Sequence, residues 1–108
     1  MAQLKKLKRL NNAQTAYFCE QLWLMLNSGM QLNDGLDILS EDMDDANLRG
    51  ICVFLSDGIC NGDTLHQAMV DSRVFPEYAV SMVKIGGISG RLDDVLRDLS
   101  EYYENRAD

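Results

Sequence analysis

One histidine, His66, and one proline, Pro76, stand in the 108 residues. A single imidazole cannot assemble a His-ligated metal centre within one chain, so an exposed helix surface or a cap is a plainer role for His66 than that of a general base. With one proline, few β-branched residues and abundant Leu, Asp, Met and Ala, the composition favours helices over strands. Cysteine is also scarce: Cys19, Cys52 and Cys60 form an odd set without a CxxC. Cys52 and Cys60 are eight residues apart on one expected helix, about 12 Å along its axis and too far to bridge. All three are read as buried thiols of a reducing compartment.

No run of about twenty apolar residues is present, so nothing in these residues reads as a membrane span. The head MAQLKKLKRL is followed by NNAQ and not by the apolar core of a secretory signal. No GxGxxG or GxxxxGK[ST] spacing occurs, and Gly86, Gly87 and Gly90 follow no strand, which excludes a phosphate loop. The acidic stretch Glu41–Asp45 lacks the ligand spacing and mid-loop glycine of an EF-hand. It reads as a solvated turn and helix cap, with oxygen ligation of Ca²⁺ as the alternative. Catalysis needs a converging set of groups; none is visible, and no cofactor or metal is implied.

What is present is charge, unevenly spread. The net charge is −7, yet Lys5, Lys6, Lys8 and Arg9 crowd the first ten residues, leaving six basic against seventeen acidic side chains in residues 11–108, a balance of −11. Such a body is not expected to bind nucleic acid, which needs a basic face. The basic head, residues 1–10, is read as a flexible segment; attraction to an anionic membrane or an acidic partner is its functional alternative. Residues 11–108 fit one helical domain, large enough to bury about two thirds of its unfolded surface.

Six helices are expected. The first runs from Asn11 or Asn12 to Gly29, with Ala16, Cys19, Leu22, Trp23 and Leu26 at helical spacing. The second opens near Asn33 and Asp34, buries Leu36, Leu39 and Met43, and ends in the acidic cluster, whose carboxylates oppose its dipole. They favour the start of the third, which carries Leu48, Ile51, Cys52, Leu55 and Ile59 and closes at Gly62. Asp63 or Thr64 caps the fourth, with Gln67 completing a capping box and Leu65, Ala68 and Met69 facing inward. Asp71, Ser72 and Arg73 form a loop.

The stretch KIGGISGRL, Lys84–Leu92, marks the last junction. Pro76 suits a first helical turn, and Tyr78, Met82 and Ile85 recur at helical spacing, so the fifth helix is predicted to stop near Gly86 and Gly87. Ser89 is predicted to cap a sixth, with Leu92, Val95, Leu96, Leu99, Tyr102 and Tyr103 on one face. The fold expected is all-α, a six-helix antiparallel bundle of three consecutive hairpins, with Leu22, Leu26, Leu36, Leu55, Val83, Leu92, Leu96 and Leu99 in the core. The first helix is apolar almost all round near Trp23, so Tyr17, Phe18 and Trp23 supply either core or a contact to another copy.

From Tyr17 to Glu104 the ordered residues resemble the cytoplasmic domain of the F-type inner-membrane platform proteins of bacterial type II secretion and type IV pilus assembly. The resemblance rests on Phe18, Gln21, Leu22, Gly29 and Leu32, then on Gly62, Leu65 and Ala68. It continues through Phe75, Pro76, Met82, Gly86, Ser89, Gly90, Leu92 and Tyr103. One position departs: the family's Glu after the first glycine of the last junction is Gly87 here, so no role of that carboxylate carries over.

The resemblance implies a non-catalytic domain on the cytoplasmic face of the inner membrane, followed by a membrane span that these residues do not include. It would scaffold the machine and couple a cytoplasmic assembly ATPase to extraction of pilin or pseudopilin subunits, with other inner-membrane components as partners. A free-standing soluble adaptor or dimerisation module is the alternative. Asp93, Asp94, Asp98 and Glu101 lie largely off the apolar stripe of the sixth helix and are candidate ATPase contacts, the plainer reading being a solvated face. In isolation a monomer or weak homodimer is expected.

Overall fold

The computed structural model describes residues 6–107, and six helices follow in order: α1 Asn12–Asn27, α2 Leu32–Asp42, α3 Ala46–Cys60, α4 Leu65–Ser72, α5 Glu77–Ser89 and α6 Leu92–Glu104. Side-chain caps start three of them. The Asn11 carboxamide oxygen accepts the N–H of Gln14 at 2.8 Å while Gln14 Oε1 accepts the N–H of Asn11 at 2.9 Å, satisfying two amides that a helix N-terminus leaves open. Asp45 accepts the N–H of Leu48 at 2.8 Å, and Thr64 that of Gln67 at 3.1 Å. The Gln67 side chain does not return to Thr64; it donates to Asp71 at 3.0 Å. α2 opens at Leu32, just ahead of the expected Asn33, and Gln31 gives it no side-chain cap.

The odd-numbered helices end alike. Gly29, Gly62 and Gly90 have φ of +91°, +104° and +75°, a left-handed backbone that only glycine adopts without strain. In each turn the next N–H reaches back to a carbonyl of the last helical turn: Met30 to Met25 at 3.2 Å, Asp63 to Gly58 at 2.9 Å and Arg91 to Gly86 at 2.9 Å. Each reversal then delivers a leucine as the first residue of the next helix: Leu32, Leu65 and Leu92.

Consecutive helices touch all along the chain, and α1 lies against α6 in the most extensive contact, so the path closes on itself. The three expected pairs are each in contact, but α1 with α6 and α2 with α3, which join different pairs, touch more extensively than α1 with α2. Phe18, Leu22, Leu36, Leu55, Leu96 and Leu99 are among the buried side chains, each contributing about 1.5–3 kcal/mol by leaving water. Of the expected core, Val83 is also buried, whereas Leu26 and Leu92 are half-buried against it.

Three local expectations are overturned. α5 does not stop at Gly86 and Gly87 but runs to Ser89 and turns at Gly90. Ser89 therefore does not cap α6; its hydroxyl sits 3.4 Å from the Gly86 carbonyl, and Asp93 Oδ1 accepts the N–H of Asp94 at 3.0 Å near the start of α6. The inward face of α5 is Ala79, Val83 and Gly86, leaving Tyr78 and Ile85 exposed and Met82 half-buried. Small residues there let α5 approach α6 closely, which large ones would prevent. α4 extends through Ser72, where a loop was expected, and Arg73 ends it with φ 61°.

The described part of the basic head runs along the body. Lys8 donates its N–H to Asn47 Oδ1 at 2.8 Å and accepts from Asn47 Nδ2 at 3.0 Å; Leu10 is buried and donates to the Val74 carbonyl at 2.9 Å. The rest of the segment expected to be flexible, residues 1–5, lies outside the described residues.

Candidate functional site

The three glycine turns place their leucines at one end of the bundle. Leu32, Leu65 and Leu92, with Val83 and Ile88, line an open apolar groove of about 320 Å³, rimmed by Thr64, His66 and Lys84. Its walls are therefore the starts of α2, α4 and α6 and the end of α5. His66 Nδ1 lies 3.2 Å from the Val80 carbonyl, so an N–H at that nitrogen ties α4 to α5 beside the groove. Gly87 also lines it, and a Cβ there would meet nothing within 4 Å.

The remaining motif residues act in packing. The rings of Phe18 and Phe75 meet at a centroid separation of 5.1 Å, tilted by 53°, and with Leu22, Tyr103 and Ala68 belong to the core. Pro76 occupies the position before α5, and Met82 is half-buried against the core. Gly86 is the contact point between α5 and α6. Trp23 is half-buried, Phe18 fully buried and Tyr17 exposed, so the aromatic cluster expected on α1 splits between core and surface.

Burial pushes the thiols of Cys19 and Cys52 up to about 12, which keeps them protonated and unreactive near neutrality. Cys60, read from the sequence as buried, is exposed at the end of α3. Among the described residues no group of three or more His, Cys, Asp or Glu side chains is placed to hold a metal ion, and no helix is long and apolar enough to cross a membrane.

The α6 carboxylates differ from one another. Asp94 lies 3.4 Å from Arg91 and 3.9 Å from Arg97, and Asp98 reaches Arg97 at 4.0 Å. Asp93 is engaged with the Asp94 amide. Glu101 is exposed and enters no ion pair among the described residues, and Asp98 is the more exposed of the two paired carboxylates, at 69%. Arg106 stacks on Tyr102, 3.6 Å from the ring centre.

The described residues thus form a helical domain whose repeated glycine turns feed one open apolar groove. The family model described as type II secretion system (T2SS), protein F, matches residues 18–108, and the chain belongs to that family. The type II secretion system protein F of Vibrio cholerae is 36% identical over 92 residues, covering 84% of this chain and 23% of the relative. Two type IV pilus assembly proteins PilC are also similar. That of Myxococcus xanthus is 23% identical over 92% of this chain and 24% of its own, and that of Thermus thermophilus 32% over 86% and 23%. The chain thus spans about a quarter of the length of these relatives.

Proposed function

We propose that this chain is a cytoplasmic helical domain of an inner-membrane platform protein serving type IV pilus assembly or type II secretion, and that it acts by contact without catalysis. Its family supports this reading, and its relatives' names divide between the two machines. The observation that carries it is the use made of the motif residues: they form three like turns that feed one groove and a closed core. The domain would scaffold the machine and couple the assembly ATPase to withdrawal of pilin or pseudopilin from the bilayer.

An acidic body of −11 over residues 11–108 favours a basic partner surface. Of the four candidate carboxylates, Asp98 and Glu101 are the exposed pair suited to face the ATPase, whereas Asp93 and Asp94 are half-buried. The test is binding of purified assembly ATPase to this domain across salt concentrations, with Asp98→Asn and Glu101→Gln combined. Weaker binding and a shallower salt slope are expected. Unchanged affinity and slope would show that this face is solvent.

A further inference from the structure

The groove at the end of the bundle is apolar, and its one fixed charge is positive. Leu32, Leu65, Val83 and Leu92 line it, and Ile88, 79% exposed, stands at its lip. Lys84 is the one Lys, Arg, Asp or Glu among the lining residues; it is exposed and enters no ion pair among the described residues. Seventeen side chains of the chain are acidic, yet none lines the groove. Those nearest in sequence are turned elsewhere. Asp63 Oδ2 lies 3.2 Å from where Gly58 of α3 would carry a Cβ, Asp93 holds the Asp94 amide, and Asp94 lies 3.4 Å from Arg91. Asp34, in the first turn of α2, is exposed and outside the lining.

We propose that this groove binds an amphipathic helix of a partner protein, its apolar face laid on Leu32, Leu65, Ile88 and Leu92 and an acidic residue at the edge of that face opposite Lys84. The apolar lining accepts the side chains that such a helix repeats every third or fourth residue. No strand is present among the described residues, so an extended segment would find no sheet edge and would leave its own backbone groups open. A helix pairs its own. Charge then selects among helices. The acidic body as a whole favours basic surfaces, but charges more than about 8–10 Å away are screened at physiological salt, so Lys84 governs the groove and favours a carboxylate. A groove of about 320 Å³ takes part of one helix face, far less than a standard interface, so the binding is weak. This inference does not rest on the function proposed above, since it concerns the groove and names no component of either machine.

The probe is a synthetic helical peptide with leucines at i, i+3, i+4 and i+7 and a glutamate beside them, titrated to about 1 mM into the chain with isotope-labelled methyl groups. Saturable shifts of the Leu32, Leu65, Ile88 and Leu92 methyls are expected. Replacing the peptide's glutamate by lysine should weaken binding roughly tenfold, and Lys84→Glu should reverse that preference. Ile88→Asp should weaken both peptides roughly tenfold by removing the apolar lip. Thermal melts confirm that each variant is folded before titration. No saturable shift at about 1 mM, shifts confined to other methyls, or equal affinity of the parent chain for the two peptides overturns the proposal. Dodecanoate that shifts the groove methyls where the peptide does not would assign the groove to a fatty acid, which overturns it as well.

Discussion

A Cβ placed on Gly86 would lie 2.8 Å from Cγ2 of Val95 and 3.3 Å from the Cα of Leu92, so α5 meets α6 where one helix has no side chain. Its neighbour Gly87 has nothing within 4 Å of the same position. Both are helical, so alanine would add roughly 0.5–1 kcal/mol of backbone preference at either. At Gly86 the overpacking cost of about 1–3 kcal/mol outweighs it. Gly86→Ala is therefore expected to lower the thermal midpoint and Gly87→Ala to raise it; the same sign for both would refute the contact.

Gly90 is needed for a different reason. Its φ is +75° and a Cβ there would meet nothing within 4 Å, so a substitution is strained by backbone conformation and not by crowding. Gly90→Val is predicted to cost roughly 1–3 kcal/mol. Gly90→Asn should cost less, because asparagine tolerates the left-handed region. Equal losses for the two in denaturant titrations would point to a steric cause instead.

The two buried thiols make stability depend on alkaline pH. Cys19 and Cys52 are raised from 9.0 to about 12 by burial, so above pH 9 the unfolded chain loses protons that the folded chain keeps. Stability is fully present below about pH 9 and is lost as pH rises toward 12, by at most about 1.4 kcal/mol per unit for each thiol. Cys19→Ala should flatten that slope in urea titrations between pH 8 and 10. At pH 8 a thiol reagent should modify Cys60 rapidly and the other two only on unfolding.

The sequence made legible those features whose cause is local. Asn11, Asp45 and Thr64 offer oxygens where a helix must begin, and Gly62 closes α3 at the place its chemistry marks. Gly86 and Gly87 misled because a glycine reads as a stop, whereas Gly86 serves a contact with Val95, which is 9 residues away in sequence. The helical spacing of Tyr78, Met82 and Ile85 did not say which side of α5 turns inward, and the inward side is the one with the small residues Ala79, Val83 and Gly86. The groove lay beyond local reading. Its three leucines were visible singly as motif residues, but their convergence follows from the way α1 closes on α6.

Asn47 is the last residue with a separable effect. Its carboxamide accepts the N–H of Lys8 and donates to the Lys8 carbonyl, at 2.8 and 3.0 Å, tying the basic segment to α3. Each net hydrogen bond contributes about 0.5–1.5 kcal/mol, so Asn47→Ala should favour local opening of this segment by roughly tenfold or more. Leu10 would keep its buried side chain and its bond to Val74, so the core should melt at nearly the same temperature. Lys8 and Arg9 are sites for trypsin, and brief digestion followed by mass analysis reads their exposure directly. Faster cleavage there, with the body intact, is the expected outcome. An unchanged cleavage rate would mean that Leu7 and Leu10 hold the segment without Asn47, and the charge of Lys6, Lys8 and Arg9 would then be fixed to the body by packing alone.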